Sequence, residues 1–274
     1  MGRINPKVLP GYGLSLGFTV VYLAVLVLLP LGACVVTALG MSASEFTAAV
    51  WSRRARAAYA LSFGASLVAA AISTVIGLLI AWVLVRYEFP GRRLLDSLVD
   101  LPLALPTAVA GLVFSNLYSA EGWLGQFLVP LGIEAAYSRL GIVVVLVFIG
   151  FPFVVRALEP VIQSLDSEEE EAAALLGASR WQTFRHVLFP ALVPSLITGF
   201  ALALARGLGE YGSIVFVSGN MPYKTEIAPF LIVSRLEEGG DRVKEATALA
   251  TVLLAASLLL LVVINRLEAW SRRG

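Results

Sequence analysis

The chain has 274 residues, 58% hydrophobic and 14% charged, with a formal net charge of +1 and a mean hydropathy of +0.86. A soluble domain carries about 25% charged residues. This much apolar surface exceeds what one water-soluble core of this length can hide, which excludes disorder, a soluble enzyme and a nucleic-acid binder with its basic stripe. The single cysteine excludes a disulfide framework and any metal site built on several thiolates, leaving an integral membrane protein.

A helix that crosses the hydrocarbon core needs about 20 mostly apolar residues. Residues 14–36 and 58–85 qualify first and carry no charge. Residues 98–118 follow, containing Asp100, Pro102 and Pro106, and then 140–155, a short stretch. Residues 191–217 hold Arg206 and Glu210, and 246–264 stop at Asn265 and Arg266. The reading is an all-α polytopic protein of about six transmembrane helices, a single domain over residues 1–274. Leu31-Gly32-Ala33-Cys34 has the form of a lipid-attachment site. Its apolar run is longer than a cleavable signal and more spans follow, so Cys34 reads as an ordinary small helical residue.

Basic residues set the orientation. With the N-terminus inside, eleven Lys and Arg fall on the inner side and eight on the outer. Both termini are therefore expected in the cytoplasm. Arg53, Arg54 and Arg56 run against this assignment, because they cluster on the outer side.

Between the fourth and fifth spans, residues 157–190 are long, polar and patterned. Ser167 and Glu170 have capping-box spacing, and the acidic run 166–171 suits a helix N-terminus. A helix over 168–176 is expected to stop at Gly177 in a left-handed cap. Ser179 caps a second short helix through about His186, and Pro190 opens the next span. Ala172, Ala173, Leu175 and Leu176 give the first helix an apolar face; Trp181, Phe184 and Leu188 do so for the second. Two such faces either dock a partner or lie along the membrane surface, and composition leaves both open.

Enzymatic chemistry finds little support. No Gly-rich phosphate loop ending in Gly-Lys-Ser/Thr occurs, so the chain is expected to bind no nucleotide cofactor itself. His186 stands alone, which argues against a metal site or a Ser–His pair. A membrane-embedded enzyme needs a nucleophile and base on two spans, and none is visible. Asp100 reads as a carboxylate near a helix end facing water.

Glu171-Ala172-Ala173, then Gly177, then Val187-x-Phe189-Pro190 resemble the EAA loop of binding-protein-dependent ABC importer permeases, with Val187 and Phe189 where that pattern has Ile and Leu. The resemblance extends over nearly the whole chain. Phe89-Pro90-Gly91-Arg92, the run 100–111, and Arg206-x-x-Gly209-Glu210-Tyr211-Gly212 are similar to the sulfate and molybdate branch. Val215-Phe216-Val217-Ser218-Gly219-Asn220 with Lys224-Thr225-Glu226 resembles its sulfate/thiosulfate permeases. The resemblance implies the type I importer permease fold in the bacterial inner membrane, and a loop (Glu171, Ala172, Ala173, Gly177, Val187, Pro190) that couples to an ATPase. It further implies a dimer of ATP-binding subunits carrying the ATP, a second related permease and a periplasmic sulfate-binding protein. The substrate it implies is sulfate, with thiosulfate beside it; molybdate or tungstate is the alternative.

The candidate path residues are Pro102, Pro106, Arg206, Gly209 and Glu210. The prolines free backbone groups that need a polar lining or neighbouring helices. Gly207, Gly209 and Gly212 let a backbone approach or let the helix bend, and tight packing without substrate contact explains both sets equally. A charge at mid-bilayer costs at least roughly 2.5–3.5 kcal/mol, so Arg206 and Glu210 should face protein or a wet cavity. Their i, i+4 spacing suits a private ion pair, a pair with another subunit, or a cation offered to a passing dianion.

Overall fold

The computed structural model describes residues 11–271. Arg3, Lys7, Arg272 and Arg273, used for the orientation, lie outside them. The first helix, α1 (Tyr12–Leu39), widens into a π turn at Ala24–Leu28, where the Leu29 N–H reaches back to the Ala24 carbonyl. Pro30 follows and has no N–H to donate, so the wider turn takes up the missing bond. Next come α2 (Ala43–Val50), closed by a Ser42–Glu45 capping box, and α3 (Arg53–Arg86), capped by Ser52. At 1.5 Å per residue α3 is roughly 50 Å long. It begins before the apolar run because Arg53, Arg54 and Arg56 are themselves good helix residues.

Among the described residues five continuous helices are long and apolar enough to span a membrane, and the other expected span is interrupted. The expected span at 98–118 is broken into α4 (Arg92–Val99), α5 (Leu101–Ala104) and α6 (Thr107–Tyr118). Pro106 forces Leu105 into an extended conformation (φ −77°, ψ 135°), which ends α5. The twelve residues of α6 cover about 18 Å, well short of the hydrocarbon thickness. A short α7 (Gly125–Leu128) leads to α8 (Arg139–Gln163), longer than expected because Ser138 caps it.

The chain continues with α9 (Ser167–Leu175), α10 (Arg180–Leu208), α11 (Ile214–Val217), α12 (Ala228–Glu238) and α13 (Arg242–Ser271). Two expectations fail in α10. It ends at Leu208 rather than running to 217, and Pro190 lies inside it rather than at its start. A second π turn, Phe184–Leu188, precedes Pro190 as the first precedes Pro30. His186 lies in this π turn, within the helical stretch expected to reach it.

The core is α8 wrapped by α3 and α10. Its residues Ile142, Val145, Val154, Val155, Leu158 and Ile162 are fully buried. Facing them, α3 presents a seam of small residues that includes Ala65, Ala69, Ser73, Gly77 and Ala81. A Cβ on Gly77 would lie 2.6 Å from that of Val154, so only glycine permits this crossing. In a membrane such close approach, rather than escape from water, holds helices together. The C-terminal half of α1 packs on α13, while its N-terminal half, 12–28, buries nothing.

Candidate functional site

The α9–α10 hairpin is tied to the C-terminal end of α3. Ser167 is the first helical residue of α9 and makes no capping box with Glu170; Asp166 occupies the cap position without a side-chain bond. Glu170 instead ion-pairs with Arg86. The Arg86 guanidinium lies 5.2 Å over the Trp82 ring, and Trp82 meets Phe184 edge-on at 5.6 Å. A cleft of about 560 Å³ opens between these groups.

The cap of α9 forms as expected. Gly177 has φ +83°, its N–H donates to Ala174 and that of Ala178 to Ala173. That is a Schellman ending, which only glycine adopts without strain. Ser179 forms a capping box with Gln182. Ala173 is buried and Val187 half-buried, whereas Glu171, Ala172, Gly177 and Pro190 are exposed. Around the turn Leu175 is 89% exposed, Leu176 88% and Trp181 65%. Anchored on one side, the hairpin holds three large apolar side chains outward on the other.

A second constellation lies where the predicted fifth span stops. Arg206, in the last turn of α10, reaches Glu210 just beyond the helix, at 2.6 Å. The other Glu210 oxygen accepts from the Ser213 N–H and hydroxyl, both at 2.9 Å. Glu210 and Ser213 are buried, while Arg206 is one-third exposed. The turn is pressed against α6: a Cβ on Gly111 would meet the Ser213 carbonyl at 2.3 Å, and one on Gly212 the Thr107 hydroxyl at 2.3 Å. The structure thus brings the Glu210 turn to Thr107, beside Pro106. Pro102 is separate, buried in α5 where that turn packs on α8. A Cβ on Gly209 would meet only the Ala205 carbonyl of its own helix, at 3.9 Å, so Gly209 terminates α10 without admitting a neighbour.

Two ion pairs and one four-residue charge cluster escaped the sequence reading. Arg54 binds Glu226 through two bonds of 2.8 and 2.6 Å, and Arg86 binds Glu170. Arg156 gathers three carboxylates: Asp100 at 2.9 and 2.7 Å, Asp96 at 2.7 Å and Glu159 at 2.7 Å. Asp100 keeps half its side chain open, as expected near a helix end, but its carboxylate is committed to Arg156. The signal available was a pair of i, i+4 aspartates and an Arg–Glu pair at i, i+3 inside otherwise apolar sequence.

Proline-broken helices, an uncovered hairpin at one end and partly buried ion pairs among apolar spans are the build of a multi-pass membrane protein. The family model for the binding-protein-dependent transport system inner membrane component matches residues 73–274, and the chain belongs to that family. It is 50% identical over 255 residues to the probable sulfate transport system permease protein cysT of Nephroselmis olivacea, covering 93% of this chain and 89% of that one. It is 46% identical over 263 residues to the sulfate transport system permease protein CysT of Escherichia coli K12, covering 96% and 94%. Among solved structures, a bacterial ABC transporter that imports the acidic polysaccharide alginate superposes with a TM-score of 0.76 at 19% identity, covering 96% of both chains. An inward-facing methionine ABC transporter gives 0.58 at 18%, covering 84% and 99%. The fold is that of type I ABC importer permeases.

Proposed function

We propose that this chain is the membrane subunit of an ATP-driven importer that moves sulfate, with thiosulfate as a second substrate, into the cytoplasm. The carrying observation is the α9–α10 hairpin. Leu175, Leu176 and Trp181 are uncovered while Arg86 and Trp82 fix the opposite side, an arrangement suited to transmitting a push from an ATPase into α3 and α10. The names of the similar permeases support the anion. ATP sits on a dimer of partner ATPases, a second related permease completes the path, and a periplasmic sulfate-binding protein delivers the substrate; this chain holds no cofactor. The test is ATP-dependent uptake of radiolabelled sulfate into vesicles containing the reconstituted complex, with thiosulfate, molybdate and tungstate as competitors. Uptake that molybdate or tungstate abolishes and thiosulfate does not would move the assignment to the alternative oxyanions.

Gly177→Val should leave every span in place while straining the left-handed cap by about 1 kcal/mol or more. Normal membrane levels with sulfate uptake reduced at least about tenfold are expected. Uptake at the native rate would show that the hairpin rests on the membrane and transmits nothing. Both termini are expected in the cytoplasm. Reporter fusions at Gly274 and in the loop between α11 and α12 should report opposite sides, and the same side for both would overturn that orientation.

A further inference from the structure

The three arginines that run against the charge rule resolve into two groups. Arg54 is neutralised by Glu226, but Arg53 and Arg56 have no acidic partner among the described residues. Arg53 lies 5.6 Å over the ring of Tyr223, and Arg56 lies 6.0 Å over that of Trp51. Two further cations join Arg53 here. Arg139 spends its Nε–H on the Lys224 carbonyl at 2.9 Å, and neither Arg139 nor Lys224 makes an ion pair among the described residues. This rim lies at the end of α3 opposite Arg86.

Below the rim runs a groove of about 350 Å³, floored by Ala57, Ala60, Leu61, Gly64 and Val68 of α3 and walled by Val143, with Arg139 and Tyr223 among its lining residues. From Ala57 to Val68 it extends about 16 Å along the helix, down into the apolar part of the span. At Gly64 it is open, since a Cβ there would touch nothing within 4 Å. Tyr223 is held at φ +66°, an uncommon conformation for a bulky residue. The loop that holds it is fixed on both sides: Asn220 bonds Val215, Thr225 bonds Met221, and Glu226 bonds Arg54.

We propose that this groove binds one chain of an anionic phospholipid, with its phosphate between Arg139 and Arg53. A small oxyanion such as sulfate has no use for an apolar trough about 16 Å long. A neutral lipid has no use for unpaired guanidiniums, and a protein helix would meet them without a counterion unless it carried its own acid. An amphiphile with one anionic end matches both halves, and Tyr223 supplies at the charged rim the kind of aromatic ring that favours headgroups. The inference does not depend on which anion is transported.

The test takes the protein extracted from its native membrane with its co-purifying subunits and washed with detergent. It is offered mixed micelles of phosphatidylglycerol or of phosphatidylcholine, and retained lipid is counted by native mass spectrometry. Wild type should keep phosphatidylglycerol in preference to phosphatidylcholine by about fivefold or more per engaged arginine. Arg139→Gln should remove about fivefold of that preference. Gly64→Phe, whose Cβ would meet nothing within 4 Å, should place its ring in the groove and abolish retention of both lipids while the spans remain folded. Glycerol 3-phosphate should not displace the lipid; displacement would mean a free-anion site and overturn the proposal. Equal retention of the two lipids, or an unchanged preference in Arg139→Gln, would also overturn it. So would a Gly64→Cys variant that cross-links to another subunit, because a protein would then fill the groove.

Discussion

Glu210→Ala is expected to remove most of the folded protein from the membrane fraction. The carboxylate makes three contacts from a buried position: Arg206 on one oxygen, and the Ser213 N–H and hydroxyl on the other. Alanine leaves a guanidinium without its counterion and two buried donors without an acceptor. Breaking a buried pair costs about 3–5 kcal/mol. Arg206 is one-third exposed, so water recovers part of that loss, but stranding the Ser213 donors adds about 1–3 kcal/mol. The sum is a large share of a stability of about 5–15 kcal/mol. Glu210→Gln should be milder, since its amide oxygen still serves Ser213 and only the charge is lost. The double variant Arg206→Glu, Glu210→Arg separates charge from geometry. It balances the pair, yet an arginine at 210 has no acceptor for the Ser213 N–H, and the turn that contacts Thr107 should come loose. Immunoblots of the membrane fraction and the thermal midpoint of the solubilised protein check the series. Native levels for Glu210→Ala would show that the turn is held by packing at Gly111 and Gly212 alone.

This pair also shows what the sequence made legible. Its spacing identified the partners, but the reading placed both on one continuous helix, because hydropathy runs smoothly from 191 to 217. Hydropathy counts side chains and is blind to the backbone. Gly209 ends the helix, and the next four residues form a turn that no apolar count reveals. The same blindness drew 98–118 as one continuous helix. The residues there are apolar enough, but Pro106 dictates an extended Leu105 and splits the segment. Where side chain and backbone agree, as over the uncharged run of α3, the expected span lies wholly within the observed helix. The Schellman turn at Gly177 was legible for the same reason, being a local feature with a local signal. Arg86–Glu170 was not. Its partners lie 84 positions apart and meet only because the hairpin folds back on α3, and that contact displaced the local capping box the spacing suggested.

Arg156→Met should loosen the proline-broken segment from the bundle. Among the described residues Arg156 is the one cation set among Asp96, Asp100 and Glu159, and it carries the polar attachment of α4 and α5 to α8. Methionine fills similar space but leaves three carboxylates facing one another. The two aspartates are half exposed and the glutamate is 15% exposed. The cost should therefore lie between the roughly 1 kcal/mol of a surface pair and the 3–5 kcal/mol of a buried one. The effect should be regional. Val99 of α4 packs with Val155 and Leu158 in the main apolar cluster, so α8 should stay folded while amides of Arg92–Ala104 exchange faster, by about tenfold or more. If repulsion among the carboxylates is the cause, removing charge should repair the damage. Arg156→Met combined with Asp100→Asn and Glu159→Gln should recover much of the protection, although the triple variant has lost every charged bond to the arginine. Each added substitution would destabilise further if the arginine acted only by pulling α4 inward. Recovery in the triple variant therefore assigns Arg156 the role of neutralising a crowded acidic site, and a steady decline assigns it the role of a tether.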